Sequence, residues 1–214
     1  MIKSKTKNKN SDLSLNGYDL ILGSNSPRRR QLLSAFTTDF SILVSDYDEK
    51  YNKSQSAKKY VLECTLNKAI DVFKKCQLGQ FSNPIVICAD TIVVHKNTLL
   101  FKPTDKTQAQ QMLQKLSNST HQVMTAVCVK SLKHTFVSYS KSTIVFDKFS
   151  QTEIDNYIAT NSPFDKAGGY GIQDAQIAAK VKKIKGDTDT VVGLSLDLTK
   201  KLLDKIIKID NKNK

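Results

Sequence analysis

Residues Pro84 to Val94 read PIVICADTIVV, an apolar run broken only by Asp90 and Thr91. A segment this apolar and this rich in β-branched residues reads as a buried central strand rather than one with a wet face. Such a strand needs helices to cover its sheet, and the flanking sequence supplies them. Tyr18–Leu22 is strand-like, and a helix from Pro27 to about Phe36 follows, with Leu32, Leu33 and Phe36 on one face. Phe40–Ser45 alternates as a strand, and Asp46–Lys53 is polar and irregular. A long helix then runs from Ser56 to about Lys75, with Leu62, Leu66, Ala69 and Phe73 spaced for its buried face.

Beyond the central run, a turn at His95–Thr98 leads into Leu99–Phe101, and Thr104 or Asp105 can cap a helix that buries Ala109, Met112, Leu113 and Leu116. His121–Lys130 and Thr135–Phe146 read as a hairpin around Ser131–His134. Ser150 and Glu153 form a capping box for a helix ending near Asn161. A glycine-bearing loop from Pro163 to Asp174, a short β segment, a turn at Gly186–Asp189 and a helix from about Ser195 to Ile209 complete the pattern. The expected fold class is α/β, a mixed twisted sheet flanked by helices, with both crossover helices and an antiparallel hairpin.

The chain's 214 residues suit one medium domain. Residues 18–207 are expected to form it, between Lys/Asn-rich tails at 1–17 and 208–214 that read as disordered. No apolar run approaches the ~20 residues that span a bilayer. The N-terminal stretch lacks the apolar core of a secretory leader, so a cytoplasmic location is expected. Four scattered cysteines, with no C-x-x-C pair, argue for free buried thiols over a zinc site or disulfides. The formal charge of +13 is spread along the chain, and aromatic residues make up only 7% with no tryptophan. That composition favours a small polyanion at least as well as a polynucleotide, and a nucleic-acid partner is not expected.

The residues that carry chemistry begin at Gly23–Leu33, GSNSPRRRQLL. Pro27 stands where a helix can start, and Arg28, Arg29 and Arg30 fall in its first turn, where the helix already carries partial positive charge. Either these arginines are solvated or an anion compensates them, and the arginine fork suits phosphate oxygens. Ser24 and Ser26 add hydroxyls at the same loop. Asp90 is a carboxylate inside the most apolar run, costly to bury unless paired, hydrogen-bonded or metal-bound. It could hold a divalent cation, activate water or merely cap backbone amides at a strand end. Glu49, Lys68 and Lys102, taken singly, read as ordinary surface charges. The loop DKAGGYGIQD carries Gly168, Gly169 and Gly171, which permit close backbone approach to a ligand or simply form a turn. His95, His121 and His134 show no metal-ligand spacing and read as non-catalytic.

Taken in order, these motifs resemble the Maf-like nucleoside triphosphate pyrophosphatases from about Tyr18 to Leu203: SNSPRR at 24–29, DE at 48–49, NKA at 67–69, ADT at 89–91, FKP at 101–103, LSNSTHQVMTAV at 116–127, DKAGGYGIQ at 165–173 and VVGLSL at 191–196. The resemblance implies an active site in a cleft between two lobes. It also implies hydrolysis of a nucleoside triphosphate to monophosphate and pyrophosphate with a divalent cation, Mg²⁺, Mn²⁺ or Co²⁺, in a homodimer. It assigns Asp90 as proton acceptor and places Ser24, Ser26, Arg28, Arg29, Glu49, Lys68 and Lys102 at the polar site, with Asp90 and Glu49 as metal ligands. Arg28, Thr91 and Gln173 match the branch acting on dTTP, UTP and modified pyrimidine nucleotides. The branch acting on 7-methyl-GTP typically carries Trp, Gln and Glu at those three positions. Alternatives are that 7-methyl-GTP activity and a non-catalytic nucleotide-binding regulator of cell division. Ser195 for Pro, Asn118 for Gly and Asp174 for Gly are departures from the pattern, and Asp174 adjoins a specificity position.

Overall fold

A computed structural model describes residues 15, 17–52, 54–79 and 81–212. The expected tail at 1–17 thus lies almost wholly outside the described residues. Among the described residues, seven strands form one mixed sheet: β1 (Asp19–Leu22), β2 (Ser41–Ile42), β3 (Pro84–His95), β4 (Thr98–Leu100), β5 (Thr120–Lys130), β6 (Thr135–Phe146) and β7 (Val181–Lys185), in the order β2-β1-β3-β5-β6-β7 with β4 also on β3. The helices are α1 (Pro27–Leu33), α2 (Ala57–Leu78), α3 (Lys106–Leu116), α4 (Gln151–Ala159), α5 (Ala175–Ala178), α6 (Thr188–Val192) and α7 (Leu196–Lys212). No helix among the described residues is long and apolar enough to cross a membrane.

The apolar run Pro84–Val94 is the centre of the sheet, with Ile85, Val86, Ile87 and Cys88 fully buried. Alternation along β3 divides the core. Val86 and Cys88 join Val72 and Cys76 of α2 on one face, while Ile85 and Ile87 join Leu33 of α1 and Leu203 and Ile206 of α7 on the other. Farther along that second face, Val93 packs with Leu113 and Leu116 of α3 and Ile154 and Tyr157 of α4. These two clusters share one side of the sheet. All four cysteines are free and buried, and burial pushes the Cys88 and Cys128 thiols up to about 12.

The edge of β3 explains where a cleft can open. Strand β1 runs parallel to β3 only through Leu22↔Ile87, and β4 pairs with it antiparallel only from Val93↔Leu100. Between those points β3 is paired on its other side alone, by β5 through Asp90↔Ala126 and Thr91↔Thr125. Asp90 and Thr91 point to opposite faces of the sheet. The gap between β1 and β4 lets both border one space.

Local chemistry sets the element ends. Ser26, Ser56, Asp105 and Ser150 cap α1 to α4, the last with the expected Ser150–Glu153 box. Asn118, at φ 49°, takes the left-handed conformation that asparagine tolerates better than most residues. Ser195 Oγ accepts from Leu198 N at 3.4 Å, so a serine in the place of proline still starts a helix. Several expectations are corrected. The second strand shrinks to Ser41–Ile42, the first helix ends at Leu33, helix α5 opens the stretch after Asp174 that read as a short β segment, and helix α6 begins within the turn read at Gly186–Asp189. Helix α7 continues to Lys212, past the expected helix end at Ile209, and Asp210 on that last turn accepts from the Tyr18 hydroxyl at 3.3 Å.

Candidate active site

The expected stripe on helix α2 holds at Ala69 and Phe73, which are buried, but its first half is shifted by about one residue. Leu62 and Leu66 are only half-buried, whereas Val61, Cys64, Thr65, Val72 and Cys76 are buried. Lys68 falls on this inner stripe and its side chain is only 14% exposed, so it is not the solvated lysine it seemed singly. Its ammonium lies 2.7 Å from Asp90 Oδ1 and 2.6 Å from Glu49 Oε1. Burial opposes the charge on Lys68, but the two carboxylates outweigh it and hold its pKa above the ordinary lysine value. Asp90 is 8% exposed, and its pairing with Lys68 answers the cost of burying a carboxylate. Glu49 reaches the cluster from the irregular stretch after β2, where Tyr51 packs on Tyr60 of α2 and on Phe101, with ring centroids 5.1 and 5.2 Å away.

The opposite wall begins at α1. Ser26 Oγ accepts from Arg29 N at 3.5 Å, and Ser24 Oγ accepts from Ser26 N at 3.2 Å. Arg29 then folds inward. Its Nε donates to the Gly193 carbonyl at 2.9 Å, Nη1 to Ser24 Oγ at 3.2 Å and Nη2 to Thr91 Oγ1 at 3.3 Å. Burial pushes its pKa below the usual arginine value, against the attraction of Asp90. Arg28 pairs with Asp165 at 3.2 Å. Arg30 is exposed and takes no part.

These groups border a cavity of about 410 Å³. Ser26, Arg28, Arg29, Glu49, Lys68, Asp90, Thr91, Lys102 and Gln173 all line it. Ser24 does not; it is 7% exposed and stands behind Arg29 as a support. The far wall comes from the glycine-bearing loop, which contributes Asp165, Lys166, Gly171, Gln173 and Asp174. Within that loop Gly168, at φ 72°, packs so closely on Val93 that a Cβ would sit 3.0 Å from its side chain. Tyr157 Oη and Ser162 Oγ donate to Asp174 Oδ2 at 2.5 and 2.7 Å, which ties α4 to the loop. None of the three histidines lines the cavity. Sequence reasoning missed Asp165, Thr125 and the Gly193 carbonyl. The first carried only a charge as signal, and the other two carried none, because their roles arise from contacts between distant elements.

Among the described residues, no group of three or more His, Cys, Asp or Glu could hold a metal unaided. The donor set is nonetheless suited to Mg²⁺ or Mn²⁺. Such ions take one or two carboxylates and complete their shell with water and substrate phosphates. Asp90 and Glu49, brought together by Lys68, supply two hard oxygen donors beside a cationic wall.

Residues 19–206 match the family model described as Maf-like protein. The chain is 38% identical over 177 residues to a dTTP/UTP pyrophosphatase of Bacillus cereus, covering 83% of this chain and 90% of the relative. A dTTP/UTP pyrophosphatase of Bacillus cytotoxicus is 40% identical over 176 residues, covering 82% and 89%. One from Bacillus anthracis is 38% identical over 177 residues, covering 83% and 90%.

Proposed function

The chain belongs to the Maf-like protein family, and from that membership together with the charge pattern of the cavity we propose that it is a nucleoside triphosphate pyrophosphatase acting on dTTP and UTP. The observation that carries the reading is Lys68, held between Asp90 and Glu49 in a cavity also lined by Arg28, Arg29 and Lys102. A triphosphate needs cations along its length, and a hydrolase of its α-phosphorus needs a proton acceptor beside them.

Water attacks the α-phosphorus, the bond from that phosphorus to the bridging oxygen breaks, and the products are the nucleoside monophosphate and pyrophosphate. Lys68 occupies Asp90 Oδ1 at 2.7 Å, which leaves Oδ2 to orient the water and take its proton. Arg28, Arg29 and Lys102 offset the negative charge that collects on the leaving pyrophosphate. Ser26 has a hydroxyl hydrogen free for a phosphate oxygen, and Ser24 acts by bracing Arg29. A divalent cation held by Asp90 and Glu49 would supply Lewis-acid polarisation of the phosphate. Thr91 and Gln173 face the nucleoside, and the Gln173 amide can both donate to and accept from a pyrimidine edge. The enzyme works in the cytoplasm as a homodimer.

Pyrophosphate release from a panel of natural and modified nucleotides tests this reading. Turnover of dTTP and UTP is expected to exceed that of 7-methyl-GTP, to vanish with EDTA and to return with Mg²⁺, Mn²⁺ or Co²⁺. Preference for 7-methyl-GTP, or undiminished activity in EDTA, overturns it.

A further inference from the structure

A file of hydroxyls runs behind the cavity wall. Arg29 Nη2 donates to Thr91 Oγ1 at 3.3 Å, Thr91 Oγ1 lies 2.9 Å from Thr125 Oγ1, and Thr125 Oγ1 donates to the Thr190 carbonyl at 2.6 Å. Thr125 and Thr190 have no solvent exposure. A threonine hydroxyl has one hydrogen, and a carbonyl oxygen has none to give. The Thr125 hydrogen is therefore committed to Thr190. The hydrogen between Thr125 and Thr91 must then come from Thr91, whose lone pairs are left to accept from Arg29. The Gly193 carbonyl, 3.5 Å from Thr91 Oγ1, is a second and more distant acceptor for that hydrogen.

We infer that Thr125 is a positioning residue: anchored on Thr190, it turns the Thr91 O–H away from the cavity and thereby fixes the Arg29 guanidinium. Two consequences follow for the nucleotide site proposed above, on which they rest. Thr91 presents only acceptor character to the cavity, so it reads an N–H or O–H of the nucleotide and not a phosphate oxygen. Arg29, with three of its five N–H groups spent on Gly193, Ser24 and Thr91, keeps two aimed for phosphate. Nothing about Thr125 facing a neighbouring strand inside the sheet marks it for this role. Only its registry with Thr91 across β3 and β5 does.

The test uses T125V, T125S and T91V, with the T91V/T125V double variant. In the ligand-free protein, Arg29 Nε–H exchange followed by ¹⁵N NMR is expected to quicken about tenfold in T125V and in T91V, and to stay at the wild-type rate in T125S, which restores the hydroxyl. In turnover, T125V is expected to raise KM for dTTP and UTP about tenfold with a smaller change in kcat, and to add nothing in the T91V background. Equal KM penalties for T125V with and without Thr91, or an Arg29 signal unmoved by T91V, overturn the proposal. T91V leaves Thr190 paired, so an Arg29 signal unmoved in that variant overturns the proposal even where T125V does not fold. Wild-type protein that releases no pyrophosphate refutes the proposed function, while the exchange measurement still decides the role of Thr125.

Discussion

Lys68 shares its ammonium between Glu49 at 2.6 Å and Asp90 at 2.7 Å, and this arrangement allows Asp90 to be altered without wrecking the cluster. D90N preserves the shape of the side chain and leaves Lys68 paired with Glu49. Loss of a positioned general base costs roughly 10² to 10⁴ in rate. Turnover of dTTP by D90N is expected to fall by that order, with the melting temperature within a few degrees of wild type. Retained kcat would remove Asp90 from the chemistry. At this scale the sequence was informative where a residue violated its surroundings. Asp90 stood out because it interrupted an apolar run. Lys68 did not, because a lysine on a long helix is ordinary until the helix's rotation is known.

Gly23, just past the end of β1, sits against β3, its N–H donating to the Ile87 carbonyl at 2.8 Å. A Cβ there would collide with Cys88 Sγ and press on Val72. G23A is expected to cost about 1–3 kcal/mol by overpacking. The C88A change vacates that volume, so the double variant should recover most of the loss, a non-additivity readable from urea midpoints. Additive losses would show that the glycine serves another purpose. The clash sits one residue before Ser24, so G23A should also weaken nucleotide binding through Ser24 and Arg29. Among elements, long ones with strong patterns were legible: β3, β5, β6 and the capped start of α4. Helices α5 and α6, of four and five residues, are too short for a periodicity to register. Helix α2 was placed correctly along the chain, and its inner face was read correctly at Ala69 and Phe73 but not in its first half, where Cys64, Thr65 and Lys68 turn inward instead of Leu62 and Leu66.

For the molecule as a whole, acid stability depends on a buried histidine that does not itself line the cavity. His121 is 2% exposed, its Nε2 is 2.7 Å from Tyr170 Oη, and it packs on Phe146. Burial pushes its pKa from 6.5 down to about 3, so the folded protein holds it neutral over a range where the unfolded chain binds a proton. Its contribution is intact above pH 6.5 and is lost as pH falls toward about 3, at up to about 1.4 kcal/mol per pH unit. H121Q is expected to flatten the fall in melting temperature between pH 6.5 and 4 relative to wild type, and an unchanged slope would refute the assignment. The amino-acid sequence by itself determined the α/β class, the buried central strand and an ordered set of motifs, because apolar periodicity, caps and residue order are local properties of the chain. Only the tertiary structure decided that β1 and β4 leave a gap beside Asp90, that Lys68 turns inward to bridge Asp90 and Glu49, and that Thr125 stands behind Thr91. Those facts depend on strand registry and helix rotation, which are set by packing between segments tens of residues apart.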